Sequence, residues 1–224
     1  MHSDRLFQLE SMLRSGAINQ RKAALDELAQ TPAHIAIPLL QRLASDEDFL
    51  CRRFAVMGLG NHPTPASLQI LKDLLEKEAD NNVLSEIANS LFEFGDESVP
   101  VLQKLFERNH HWLTRQTIIS ILMEAHQDDV LLAVIREALQ DETQTVKETA
   151  ILALGTLLKG KLHQEALNIL SELSQAQDWR DRWRTATALN LSSSPQAKEI
   201  LAKLQQDENH YVVAAALEAS LPHE

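Results

Sequence analysis

Ten side chains in this sequence are of the kinds that hold a binding partner: Arg52 and Arg53; His111, Trp112 and Arg115; Trp179, Arg182, Trp183 and Arg184; and Tyr211. Aromatic and arginine side chains bury large areas at modest entropic cost and dominate binding hot spots. An indole face suits a planar group, and a guanidinium forks onto a carboxylate. The run from Trp179 to Arg184 is the richest, and His111 to Arg115 comes second. Phe49, Trp112, Trp179 and Tyr211 recur at equivalent turns, which is many in a chain with six Phe, three Trp and one Tyr. Acids share those turns: Asp46-Glu47-Asp48, Asp141-Glu142, Asp178 and Asp207-Glu208. An Asp there caps the next helix and favours the positive end of its dipole. Capping accounts for the acids. For the aromatics, plugging the gaps between helices and gripping a partner both stay open.

Catalytic constellations are not found. The nine histidines are scattered, no two are four apart, and Cys51 is the single cysteine. His110 and His111 are adjacent and point to different sides of a helix, and the one His-Glu pair is the terminal His223-Glu224. No metal site is expected. No strained serine elbow, phosphate loop or dinucleotide fingerprint is present. The expectation is a binding protein without a cofactor, not an enzyme. Iron-sulfur or other cofactor assembly is an alternative that only Cys51 and scattered histidines support.

Charge and hydropathy narrow the partner. The net charge of −11 argues against nucleic acid, which needs clustered cations to displace counterions, and against anionic lipid. No run of about 18 apolar residues exists, so no membrane insertion is expected. One cysteine allows no internal disulfide, which points to a reducing compartment, the cytoplasm or a plastid stroma.

Helices must position these groups. An aliphatic residue, a small one four places on and an aliphatic four further on recur through the chain. The copies are Gln20, Ala24, Leu28; Cys51, Ala55, Leu59; Val83, Ile87, Leu91; and Leu113, Thr117, Ile121. Val146, Ala150, Leu154; Asp181, Thr185, Leu189; and Val212, Ala216, Ser220 follow. The first members are spaced by 31, 32, 30, 33, 35 and 31 residues. Each copy marks the second helix, B, of a pair, with a small middle residue in six of the seven. A first helix, A, precedes it, as in Pro38-Leu39-Leu40 and Pro100-Val101-Leu102. Thr31-Pro32, Thr64-Pro65 and Ser194-Pro195 read as helix starts, and Gly60, Gly95 and Gly160 as B-helix stops. The prediction is an all-α α-solenoid superhelix of about seven antiparallel helix pairs, one domain over 1–224. Cys51 then lies on the core stripe as a small buried hydrophobe.

Several stretches carry a family resemblance. They are Arg52-Arg53-Phe54-Ala55-Val56-Met57-Gly58-Leu59-Gly60 with Asn61-His62-Pro63-Thr64-Pro65, and Val146 to Gly155. Asp178-Trp179-Arg180-Asp181-Arg182 and Asp207 to Val213 complete them. The chain resembles HEAT repeats over nearly its whole length. Within them it resembles the phycobilisome-type HEAT-like group, which includes the E/F-type phycobilin lyases and the phycobilisome-degradation protein NblB. That resemblance implies a cyanobacterial antenna or photosystem setting, with a phycobiliprotein or photosynthetic assembly factor as partner protein. It implies, as alternatives, a phycobilin lyase component or a bilin-binding or bilin-detaching factor, with bilin as the bound group.

Overall fold

The computed structural model describes residues 2–218, and side chains from residue 4 onward. The chain divides into two compact units, residues 1–118 and 119–224, and each is described by itself. Among the described residues there are fourteen α-helices, one short 3-10 turn and no strand.

The first unit runs α1 (His2–Ser15), α2 (Ile18–Ala29), α3 (Ala33–Leu43), α4 (Phe49–Gly60), α5 (Pro65–Leu75) and α6 (Asn81–Phe92). The 3-10 turn Gly95–Ser98, α7 (Val99–Arg108) and α8 (Trp112–Glu124) follow, and the division falls inside α8. The second unit holds α9 (Asp128–Ala138), α10 (Gln144–Leu157), α11 (His163–Leu173), α12 (Trp179–Leu189), α13 (Pro195–Leu204) and α14 (His210–Glu218). Odd helices are the A members of each pair and even helices the B members. Both units are built of α-solenoid repeats.

Local chemistry sets the helix starts. The Asp48, Asp80 and Asp178 carboxylates accept from the backbone N–H of Leu50, Asn82 and Arg180 at 3.1, 2.8 and 2.9 Å. Each fills a donor that the first turn leaves unpaired. Thr64 and Ser194 cap α5 and α13 as the sequence predicts, with Pro65 and Pro195 opening the helix. Thr31 does not cap. Pro32 takes that place, and the Thr31 hydroxyl instead donates back to the Glu27 carbonyl of α2. Pro100 opens α7 within its first turn, whereas Pro38 lies inside α3. Gly60 closes α4, and Gly95, just beyond α6, takes a φ of 59° that suits glycine.

The core follows the stripe, with one correction. Cys51, Ala55 and Leu59, Val83, Ile87 and Leu91, and Val146, Ala150 and Leu154 are all buried. In α8 the buried series is Thr114, Ile118 and Leu122, one residue later than the sequence reading of Leu113, Thr117 and Ile121; Leu113 and Thr117 are half-exposed. The shift makes the repeat more regular, since residue 114 lies 31 after 83 and 32 before 146. It also leaves the middle residue small in five copies rather than six, because Ile118 replaces Thr117. Gln20 is exposed at the head of its copy, and Ser220 lies outside the described residues.

B helices pack directly on B helices, and glycine sets how closely. A Cβ on Gly60 of α4 would come within 3.0 Å of the Ser90 Cβ on α6. A Cβ on Gly155 of α10 would meet the Leu191 side chain at 2.8 Å and the Ala188 carbonyl of α12 at 3.2 Å. Both glycines stand nine places after the first stripe residue, and both meet a small residue seven places after it in the next copy. The helix ends are also stitched across repeats. His62 Nε2 lies 3.0 Å from the Leu28 carbonyl, and Ser90 Oγ donates to the Val56 carbonyl at 3.1 Å. Asn190 Nδ2 donates to the Ala215 carbonyl at 3.0 Å.

Candidate functional site

The ten predicted side chains separate into three groups. The first is spent inside the fold. Arg52, Arg115 and Arg182 each stand one place after the first stripe residue, as does Arg21. That position points each guanidinium into the turn just before its own helix. Arg52 Nη1 donates to the Asp46 and Glu47 carbonyls, both at 3.0 Å, while Nε and Nη2 fork onto Glu78 at 2.8 and 3.1 Å. Arg182 repeats this in the second unit. Its Nη1 donates to Ala176 and Gln177 at 2.8 and 3.0 Å, and it forks onto Asp207 at 2.6 and 2.9 Å. Arg115 donates to the Asn109 and Phe106 carbonyls at 2.9 and 3.2 Å and lies over the Phe106 ring. Arg115 is 4% exposed and Arg182 8%. These arginines staple a turn to its helix, and Arg21, Arg52 and Arg182 also pair with a carboxylate of the next repeat. The same carboxylates order the following turn, because Glu78 and Asp207 also accept the Asp80 and Asn209 backbone N–H. The fork from Arg182 holds the Asp207 carboxyl below the usual range against the opposing effect of burial.

The second group forms one cluster in the second unit. Trp179 and Trp183 are four apart on α12, so they share a face. Their ring centroids are 6.0 Å apart, and Tyr211 of α14 stacks on Trp179 at 5.4 Å and lies 6.5 Å from Trp183. His210 tilts over Tyr211 at 4.1 Å. The Arg184 guanidinium lies 3.8 Å from the centre of a Trp183 ring, and its Nε donates to Glu148 of α10 at 2.9 Å. Arg180 lies 4.7 Å from a Trp179 ring. The cluster is half-exposed at both tryptophans, and Tyr211 is 52% exposed. Arg180 and His210 were missed from sequence. Their signal was available: Arg180 adjoins Trp179 and stands four places before Arg184.

The third group is separate. Trp112 begins α8 and is 44% exposed, with His111 against it at 5.8 Å. His111 also orders the turn, since its Nδ1 accepts the Leu113 N–H. Arg53 is exposed and pairs with buried Glu86 of α6 at 2.9 Å. Phe49, at the head of α4, is 40% exposed.

No three side chains able to hold a metal gather among the described residues. Cys51 is buried, and desolvation pushes its thiol above the ordinary range, which suppresses thiolate chemistry. No helix among the described residues is long and apolar enough to cross a membrane.

Fourteen helices in A–B pairs, knitted by a repeating arginine and a repeating close contact, define a helical repeat protein. Models of HEAT repeats match residues 8–92, 77–155 and 132–221, and the chain belongs to the HEAT-repeat family. The resemblance to HEAT repeats read from the sequence is thereby borne out. Among curated proteins none matches the chain. Among solved structures, YibA of E. coli is similar at 14% identity over 98% of this chain and 81% of that one, with a TM-score of 0.69. A chain of the AP-3 complex is similar at 16% over 97% and 45%, with a TM-score of 0.64. The complex of CpcE and CpcF of phycocyanin lyase from Nostoc sp. PCC7120 gives 19% over 96% and 86%, with a TM-score of 0.49. These are likenesses of fold.

Proposed function

We propose that this protein is a non-enzymatic scaffold that grips a partner protein through the aromatic and arginine edge of α12 and α14. One observation carries the reading. Trp179, Trp183 and Tyr211 lie together and part-exposed at the rim of the contact between α12 and α14. The core of that packing is Thr185, Ala188, Leu189, Val212 and Ala216. Large rings touching one another at a surface are rigid before binding, so little ordering entropy opposes a partner. Trp112 with His111, and Arg53, are secondary contact points on the first unit.

Replacing Trp179, Trp183 and Tyr211 with alanine tests this. Circular dichroism is expected to stay helical, while partner capture from a native lysate falls. Retention of the same partners by the triple variant sinks the assignment. A second reading draws on the sequence resemblance: the partner is a phycobiliprotein, or the bound group a bilin whose propionates meet the Trp-backed arginines. Titrating the chain with phycocyanobilin, with and without apo-phycobiliprotein, separates it. Unchanged absorption in both arms removes the bilin from consideration.

A further inference from the structure

The sixth repeat can be compared with its own siblings. The places one before and three after the first stripe residue hold Arg180 and Arg184 in α12. No other B helix has an arginine at either place. Arg184 spends its Nε on Glu148 of α10, as Glu86 at the same place of α6 takes Arg53 of α4, whereas among the described residues Arg180 makes no link to another repeat. Arg180 and Arg184 are one helical turn apart, each laid against an indole on the same helix. Stacking on a ring fixes a planar guanidinium and leaves its edge N–H groups for a carboxylate.

Hydrogen bonding around them is one-sided. Among the described residues the Arg180 guanidinium makes no hydrogen bond, and its nearest acid, Asp178, is 3.7 Å away. Arg184 commits only Nε. The indole N–H groups of Trp179 and Trp183 and the Tyr211 hydroxyl meet no acceptor among the described residues. The neighbouring acceptors are engaged: Glu148 by Arg184, Asp181 by Gln144, and Asp207 by Arg182. Glu208 is exposed, with one oxygen 3.5 Å from Arg182. What the patch leaves over is donors, so its complement must bring acceptors.

Resting on the reading of this edge as a docking site, we propose that its occupant is an acidic segment of a partner protein. Two carboxylates about one helical turn apart fork onto Arg180 and Arg184, and an apolar residue between them rests on Trp179, Trp183 and Tyr211. In a chain of net charge −11 the attraction is local, and binding weakens as ionic strength rises.

The test uses the full chain as bait for a display library of random peptides. It is compared with Arg180→Gln/Arg184→Gln and with the alanine triple at Trp179, Trp183 and Tyr211, each verified as helical. Enriched peptides are expected to share two Asp or Glu three or four places apart. They should lose about tenfold or more in affinity on the double Gln variant, as expected for lost charged hydrogen bonds, and weaken with added salt. Enriched peptides without acids that bind the double Gln variant equally, yet fail on the alanine triple, overturn the acidic occupant and leave the docking site standing. Peptides that bind all three baits alike, or no enrichment by any bait, overturn both.

Discussion

Helices α4 and α12 begin almost identically and end up serving different ends. Each is capped by an aspartate, Asp48 or Asp178, and opens on an aromatic, Phe49 or Trp179. Each has an arginine, Arg52 or Arg182, reaching the same pair of turn carbonyls and forking onto a carboxylate of the following repeat. Of the places where they differ, three make the candidate site. Leu50, Arg53 and Phe54 on α4 stand where α12 has Arg180, Trp183 and Arg184. What the two share belongs to the fold, and what α12 adds is the candidate site. An arginine beside an aromatic therefore means opposite things at nearby helical positions, as buried Arg182 and half-exposed Arg184 show.

The shared part should be the costliest to break. Arg52→Ala and Arg182→Ala are expected to destabilise by about 3–5 kcal/mol, because each leaves a buried carboxylate without its partner. Urea denaturation measures this, and Arg184→Ala in the same assay should cost about 1 kcal/mol or less, as a partly exposed ion pair does. Equal losses at Arg182 and Arg184 would erase the distinction.

The corrected register of α8 supplies the next test, since it aligns Ile118 with Ala55 and Thr185. Ile118→Ala should cost about 2–5 kcal/mol as a buried truncation, whereas Thr117→Ala should stay within about 0.5 kcal/mol. The opposite order would restore the unshifted register.

Acid sharpens the comparison from the carboxylate side. Asp207 is held low by Arg182. Burial opposes the ionisation of Glu78, but Arg52 and the Asp80 and Ala79 amides outweigh it and leave its carboxyl low as well. A depressed carboxylate contributes stability above its unfolded pKa, about 4, and that contribution is lost as pH falls through the folded value. Melting temperature should therefore drop steeply below about pH 4. Asp207→Asn should lose that share already at neutral pH and fall less steeply in acid.

Smallest in stability, and largest in function, is the exposed edge. The alanine triple at Trp179, Trp183 and Tyr211 should cost far less than Arg182→Ala while abolishing capture. A collapse of the fold instead would class the rings as structural.

The helical stripe was legible because steps of four keep aliphatic and small residues on one helical face, copy after copy. The register of α8 was not, because Leu113, Thr117, Ile121 and Thr114, Ile118, Leu122 are two apolar-leaning series side by side. Only the regular spacing from Val83 to Val146 separates them. The aromatic cluster was legible as composition, but the fate of its arginines was not. Sequence shows Arg182 and Arg184 as equivalent near neighbours, and burial distinguishes them. His62, Ser90 and Asn190, which stitch helix ends to the next repeat, looked like ordinary loop or surface polar residues.

The arginine staple also sets where this chain can be cut and rejoined. A repeat carrying the staple binds the turn of its successor, so Arg21, Arg52 and Arg182 tie the first repeat to the second, the second to the third and the sixth to the seventh. The third and fifth repeats have Leu84 and Lys147 at the staple position. The third meets its successor through Asn81–Asn109 and the Arg108–Glu76 pair, and the fifth through Gln144–Asp181 and the Glu148–Arg184 pair. Those two seams impose no carboxylate fork on the incoming turn. Lineages or engineers adding, deleting or swapping repeats there need to keep side-chain pairs such as Arg108–Glu76 and Arg184–Glu148, but no arginine that grips the incoming turn.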